Sequence, residues 1–511
     1  MLEELLLLPL GSILPLGASL YAVFCLVLWL MDPLRSVPGP LLARFTRLWY
    51  LYKIYKGNFE RTNIDLHKKY GSVVRIAPNE YSIDDVESAK VIYGHGNAFA
   101  KAPWYWAWMP PDPNKASLFA DLDPHRHGVQ RRKFASAYSM SSLVGYEPFV
   151  DNCSSLFISR FHEIAEAGRN VNFGHWFQCY AFDVIGEITF GKRFGFLDMG
   201  VDEEGVFGAI DSRGSYSTYV GIFPKLHNIL FPLLPSTGGH RYVGNYTKAQ
   251  IASRKALLKS PTFQDRDGPP DFVSKFLALR AEDPEKMTNN DIFTICQSNI
   301  GAGSDTTAIT LSSVLYHLLK HPATYKRLQD EIDAGVTAGT ISDPITFKEA
   351  TQLPYLQAVI KEGLRLHSAT GLPLSRVVPP FGATLAGKKF PAGSTVGINA
   401  WVAHRNTSVY GADAEIWRPE RWLEIKEHSL GAKVECYFFA FGMGSRTCIG
   451  KNLSLLEVSK LIPEVMRRFE FVLNGEVRNK EWRSVNRWFV KPENFCGRVV
   501  KRRDRGRVHE K

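Results

Sequence analysis

The chain opens on an apolar stretch in which no side chain from residue 5 to residue 31 is charged. As one helix at ~1.5 Å per residue, such a stretch is longer than the ~30 Å of hydrocarbon in a bilayer. Pro9 and Pro15 interrupt its start, so the regular helix is expected from near Leu16. A cleaved secretory leader fits worse, because the start is acidic (Glu3, Glu4), the run is long and no small-residue cleavage site follows. Arg35, Arg44, Arg47, Lys53 and Lys56 all come after the run. That asymmetry predicts a single transmembrane helix with the rest of the chain on the cytoplasmic side. Residues 1–31 are therefore read as an anchor and residues 32–40 as a stiff strap holding Pro33 and Pro38-Gly39-Pro40. Residues 41–500 form one large domain, and residues 501–511 a basic tail.

Within the large domain, helical periodicity dominates. Residues 288–319 and 354–366 predict long helices, with Thr288 or Asn289 available to cap the first and His321-Pro322 to end it. Short β-rich pieces near residues 72–76 and 383–396, bounded by turn residues, predict a small sheet component. Breaks at 110–111, 236–239 and 267–270 read as surface loops, and no internal repeat divides the chain. The fold class is mainly α with a minor β-sheet portion.

Composition narrows the field. With 45% hydrophobic and 22% charged residues over 511 positions, the chain has ordinary globular usage, which excludes a disordered or collagen-like polymer. Lys and Arg number 62 against 51 Asp and Glu, a net +11. The basic run Lys501, Arg502, Arg503, Arg505 and Arg507 lacks aromatic interleaving or a binding motif. It reads as a solvated tail touching anionic lipid, not as a nucleic-acid site. The seven cysteines (25, 153, 179, 296, 436, 448 and 496) are sparse, odd in number and never spaced CxxC, so neither a disulfide framework nor a tetrahedral zinc site is encoded.

Three local patterns carry chemistry. In Phe439-Ala440-Phe441-Gly442-Met443-Gly444-Ser445-Arg446-Thr447-Cys448-Ile449-Gly450, glycines surround one cysteine just before a helical pattern starting at Lys451. Free amides and the helix dipole there favour a thiolate. With no second Cys or His nearby, it suits an axial ligand to a metal held by a macrocycle, and Arg446 would pair an anionic group on it. An inert buried cysteine beside a turn is the other reading. Gly301-Ala302-Gly303-Ser304-Asp305-Thr306-Thr307 lies in the middle of the first long helix, where each glycine costs ~1 kcal/mol relative to Ala. Ser and Thr can divert helix hydrogen bonds, so this stretch either makes room for a small molecule or is a tolerated packing defect. Glu362 and Arg365 share one helix face, which alone describes a surface pair worth ~0.5 kcal/mol or less.

Together these patterns resemble the cytochrome P-450 superfamily. Phe441, Gly444, Arg446, Cys448 and Gly450 match its FxxGxRxCxG loop, residues 302–307 its AGxDTT helix motif and Glu362 with Arg365 its ExxR signature. Trp417-Arg418-Pro419-Glu420-Arg421-Trp422 matches its PERF-like element. The resemblance implies a cytochrome P-450 fold behind the anchor, with haem b as cofactor and Cys448 as its iron ligand. It further implies that Arg446 contacts a haem propionate, that Phe441 and Gly442 shape the loop beside the sulfur, and that Gly450 lets the next helix approach the porphyrin. Thr306 would hydrogen-bond bound dioxygen and Asp305 would supply protons. Glu362, Arg365 and Arg421 would form a buried structural network. His127 and Arg131 resemble the W/HxxxR element, with His in the commoner Trp position. These two and Arg376 would serve the haem carboxylates. Trp104, Trp106 and Trp108, before Pro110-Pro111, together with Leu372 and residues 488–490, would line the pocket of an apolar substrate.

The implied activity is monooxygenation, since a thiolate ligand favours O–O cleavage. The chain shows no complete G-x-G-x-x-G between a strand and a helix, so electrons from NADPH would come through a separate NADPH–cytochrome P-450 reductase. Lys433, Arg446, Lys451, Lys460, Arg467 and Arg468 would suit docking of that acidic flavoprotein, or form a solvated basic face. Details such as the "RPERW" form are similar to fungal microsomal members of secondary metabolism, the pisatin-demethylase-like group. That similarity implies an endoplasmic reticulum location with the domain in the cytoplasm. A haem-thiolate isomerase or dehydratase, or a haem sensor without enzymatic activity, are the alternatives. The intact Asp305-Thr306 pair argues against both.

Overall fold

The computed structural model describes residues 10–235, 238–263, 268–427 and 431–502. Its axis is the helix expected over residues 288–319, which runs Asn289–Lys320, 32 residues without a break. Thr288 starts it. Its hydroxyl accepts from the Asp291 N–H at 3.1 Å, and the Asp291 carboxylate accepts from the Thr288 N–H at 2.9 Å. That reciprocal pair satisfies two of the donors every helix start leaves orphaned. The two central glycines do not interrupt it. A Cβ added at Gly303 would lie 3.1 Å from Ile185, so close packing against helix Phe173–Phe190 accounts for that glycine. The Phe173–Phe190 helix is itself almost wholly buried from Cys179 onward, Asp183 and Glu187 included. Helices Pro354–Leu366 and Lys451–Arg468 pack around the same axis, and one core cluster runs through all four.

Strands are numbered along the chain and are short. The largest sheet holds β1 (Val73–Ala77), β2 (Glu80–Ile83), β3 (Ala100–Lys101), β5 (Arg376–Val377) and β8 (Thr395–Gly397), ordered β1-β2-β8-β5-β3. All its pairs are antiparallel except β2 with β8. β4 (Asn170–Asn172), β9 (Phe469–Leu473) and β12 (Cys496–Lys501) form a second sheet. β6 (Ala383–Leu385) with β7 (Lys388–Phe390), and β10 (Arg483–Arg487) with β11 (Phe489–Glu493), are hairpins. The mainly helical class with minor sheets is thus the observed one.

At the N-terminal end, an uncharged helix of 22 residues runs Leu10–Met31. It begins earlier than expected, so Pro15 lies inside it. Leu20, Val23, Phe24, Leu26, Val27 and Leu30 are all exposed along it. Among the described residues, no helix is long and apolar enough to cross a membrane, so the expected span is not met there; residues 1–9 of the anchor lie outside the described residues. Arg35 closes this helix by donating to the Leu30 carbonyl at 2.8 Å, a cation at the negative end of the dipole. The strap then lies on β1: the Arg75 N–H donates to Pro38 O at 2.8 Å and the Arg75 side chain pairs with Asp32 at 2.5 Å. At the other end Arg502 pairs with Asp333, and residues 503–511 of the basic tail lie outside the described residues.

Candidate active site

The cysteine loop is built from two single turns, Phe439–Phe441 and Gly444–Arg446, joined by a sharp reversal. Gly442 and Gly444 have φ of +69° and +66°, the left-handed region where a Cβ is costly. At Gly444 the constraint is also steric, since a Cβ there would fall 1.8 Å from the Tyr93 carbonyl oxygen. The Cys448 N–H donates to Phe441 O at 2.8 Å and closes the loop directly before Gly450, where helix Lys451–Arg468 starts. Cys448 keeps open surface on one side, while on the other it is crowded by Phe441 and Ile449, which pack against the core, and by Leu453, which belongs to it. Burial pushes its thiol up; the Gly450 and Lys451 N–H groups and the Arg131 charge pull the other way. The favourable helix start read from the sequence is present, but burial outweighs it. A bound metal cation would reverse that balance, because a coordinating thiol is deprotonated outright.

The central helix meets the helix that follows this loop through Thr307, whose hydroxyl donates to Ser454 at 3.1 Å. Thr306 donates to Ala302 O at 2.8 Å, and Thr310 to Thr306 O at 2.9 Å, the back-bonding that competes with helix carbonyls. Ala302 is exposed, and Gly301, Gly303 and Thr306 keep accessible surface, although core residues sheathe the helix on either side. Asp305 is buried. Gln178 Nε2 donates to its Oδ1 at 2.6 Å, and its Oδ2 lies 2.8 Å from Lys491 Nζ on β11. Lys491 also pairs with Asp211 of helix Val206–Val220, whose side chain is 57% exposed. Burial raises the Asp305 carboxyl against the pull of Lys491. An acid–cation–acid chain therefore runs from the surface to the residue beside Thr306. No local motif joins positions 178, 211, 305 and 491, so sequence reading found only Asp305.

Five basic side chains converge on a third region. β3 and β5 place Lys101 directly opposite Arg376, and both are buried. Lys101 donates to the Phe119 carbonyl and sits 4.1 Å above the Tyr105 ring. Arg446 donates to Asp121 O at 2.7 Å, and Arg376 to Ser375 O at 3.0 Å. Burial and then the charges of Arg376 and Arg446 pull Lys101 well down. Arg446 falls to about 10, by burial first and Arg376 next. His127 is driven to about 3 by burial and by Arg446, Lys101, Arg131 and Arg376, so it is neutral. Arg131 is lowered by burial and feels Cys448. Among the described residues, no carboxylate forms an ion pair with Lys101, Arg131, Arg376 or Arg446; the nearby Asp121 is taken by Arg126 at 2.6 Å. Buried cations without acids call for an anionic guest. Lys101 was not read from the sequence, since a lone lysine on a two-residue strand carries no signal.

Glu362, Arg365 and Arg421 meet as expected and are fully buried. Arg365 grips Glu362 with two bonds, at 2.8 and 2.7 Å, and Arg421 Nε adds a third at 3.1 Å. Trp422 Nε1 and the Arg418 N–H fill the remaining acceptor positions, at 2.9 and 3.0 Å. The surface-pair reading is therefore wrong for this site. His404 links this network to the cysteine loop. The Phe439 N–H can only donate, so Nε2 of His404 accepts at 2.8 Å and Nδ1–H donates to Arg365 O at 2.9 Å. Sequence reading missed this strut.

Trp104, Trp108 and Leu372 are buried in one cluster with Trp488, and Trp106 bonds Asn228 at 3.1 Å. Trp488 adopts φ +79° at the tip of the β10–β11 hairpin and packs 4.9 Å from Trp104. These aromatics pack chiefly on one another. The basic docking face is largely taken up by ion pairs within the chain. Lys460 is buried between Glu147 and Asp151, and Arg467 and Arg468 pair with Glu464 and Asp343. Lys451 remains exposed, and the side chain of Lys433 lies outside the described residues.

A group that brings one thiophilic metal and two carboxylates satisfies both the lone Cys448 and the unpaired cations. Iron protoporphyrin has that composition, and the class of protein so defined is haem-thiolate. Residues 38–494 match the family model for Cytochrome P450. Pisatin demethylase of Fusarium vanettenii is 40% identical over 469 residues, 90% of this chain and 89% of that protein. Cytochrome P450 monooxygenase cicH of Emericella nidulans is 39% identical, over 92% of this chain and 94% of that one. Cytochrome P450 monooxygenase gsfF of Penicillium aethiopicum is 34% identical, over 95% and 98%. The chain belongs to the cytochrome P450 family, oxygenases whose haem iron is bound by a cysteine.

Proposed function

We propose that the chain is a membrane-anchored monooxygenase of secondary metabolism, placing one atom of O2 into an apolar small molecule. Electrons would pass from NADPH through a separate reductase, at the cytoplasmic face of the endoplasmic reticulum. The observation that carries this reading is the seating of Asp305 and Thr306 on the helix tied, by Thr307 and Ser454, to the helix that starts directly after the Cys448 loop. Cys448 would hold the haem iron, while Arg131, Arg376, Arg446 and Lys101 would hold the carboxylates, with neutral His127 and Phe441, Gly442 and Gly450 shaping the seat. The haem supplies reductive activation of dioxygen when bound.

The protein's share is positioning and protons. Thr306 Oγ1 holds its proton on Ala302 O and can turn it toward a guest over the exposed Ala302 surface. Asp305 would supply the protons, its carboxylate held by Lys491 Nζ, which in turn pairs with Asp211 at the surface. Glu362, Arg365, Arg421 and His404 brace the loop and take no part in the chemistry. The uncharged Leu10–Met31 helix with its exposed apolar side chains, followed by basic residues, supports the anchor and its orientation.

Turnover of apolar aromatic test compounds with NADPH, reductase and 18O2 tests the reading. Label in the product supports it. Conversion without reductase would point to rearrangement chemistry, and haem binding with no turnover would overturn it. Cys448→Ala should abolish the thiolate-type spectrum of the carbonyl complex.

A further inference from the structure

Arg213 on helix Val206–Val220 has no part in the chemistry above, yet its guanidinium reaches the middle of the central helix. Nη2 donates to the Trp108 carbonyl at 3.0 Å. A Cβ placed on Gly301 would come within 3.3 Å of Nη1, so the guanidinium lies directly against the bare backbone at 301 and a side chain there would crowd it. Nε is buried and has no hydrogen-bond partner. No carboxylate pairs with Arg213 among the described residues. Asp211 on its own helix is held by Lys491, and Asp305 by Lys491 and Gln178. Burial pushes the neighbouring His227 and His240 down from the ordinary imidazole range, His240 well down. Burial alone brings Arg213 down to about 10.

Arg213 is half-buried, and its fully buried, unpartnered Nε leaves the guanidinium short of a partner that an anion would supply. Beside it on the central helix, Gly301, Ala302, Gly303 and Thr306 keep accessible surface, and that is where the substrate of the proposed reaction must lie. Five helical steps separate Gly301 from Thr306, ~7.5 Å at ~1.5 Å per residue. We propose that Arg213 is the substrate-recognition residue and takes a carboxylate on an otherwise flat apolar molecule. The carbon to be oxidised would lie one to two rings from that carboxylate, close to Thr306. A guanidinium favours this partner because its fixed N–H fork matches a carboxylate, and charge-assisted bonds are about twice as strong as neutral ones. This inference rests on the monooxygenase reading and adds the substrate class to it.

Biphenyl-4-carboxylate, its methyl ester and biphenyl-4-methanol serve as probes, titrated into the haem-loaded full chain. Binding is followed by the haem spin-state change and, independently of haem, by tryptophan fluorescence, which Trp108 places next to the guanidinium. The wild type should bind the acid at least tenfold more tightly than the ester or the alcohol. Arg213→Gln should erase that preference while leaving ester binding unchanged, and Arg213→Lys should keep part of it. Gly301→Ala, which crowds Nη1, should weaken the acid selectively. Equal binding of acid and ester by the wild type, or a preference that survives Arg213→Gln, would overturn the inference. A normal thiolate-type carbonyl spectrum alongside that result would leave the haem-thiolate reading standing. If the spectrum were absent, the fluorescence comparison would still decide the role of Arg213.

Discussion

Lys101 and Arg376 face each other across the β3–β5 pair, two buried cations at directly opposed positions. Like charges so placed destabilise a sheet, by up to about 1 kcal/mol. Lys101→Met should therefore make the haem-free chain more stable by about that amount while loosening its hold on haem about tenfold. Thermal unfolding without haem and haem transfer to an acceptor globin measure the two effects. Unchanged haem retention would remove Lys101 from the carboxylate seat.

Lys491→Met leaves Asp305 buried without its cation, so its carboxyl should rise further and stay protonated. Turnover should fall about tenfold with little change in substrate affinity, and the solvent isotope effect on turnover should grow. Thr306→Ala should keep haem but divert electrons into peroxide. Product formed per NADPH consumed reads both variants, and full coupling in either one would refute its place in the proton route.

His404 is held neutral, with burial driving it to about 3. The unfolded chain carries an imidazole near ~6.5, so between about pH 6.5 and 3 the unfolded state binds a proton that the folded state does not. Stability must fall as pH drops through that window, by about 2 kcal/mol at pH 5 from this residue alone. His404→Gln should be less stable at pH 7, through loss of the strut, yet show a flatter decline toward pH 5. Denaturant unfolding at both pH values provides the comparison, and parallel slopes would exclude a neutral His404.

Removing residues 1–31 should release the protein from membranes while haem content stays normal. Fractionation with absorbance at the haem band checks this. Release accompanied by haem loss would mean that the helix supports the domain itself.

The long helices were legible because their apolar spacing, their cap at Thr288 and the His321-Pro322 stop all agree. The cysteine loop and the Glu362–Arg365 pair were legible as short motifs. What escaped was whatever only the fold assembles. Lys101, Gln178, His404, Lys491 and Arg213 act on partners distant in sequence, and none sits in a telling local pattern. Lys460 misled in the opposite sense. A lysine in a basic helix reads as surface, yet two acids on another helix draw it into the core.

The Tyr93 carbonyl occupies the place that a side chain at 444 would need. Tyr93 cannot easily yield, since its hydroxyl donates to Leu374 O at 2.7 Å and accepts from the Ile398 N–H at 2.8 Å. One glycine of the metal loop is thus dictated by a distant helix end and would be required even in a chain that never met iron. Reshaping the loop to suit another cofactor would have to begin by moving Tyr93.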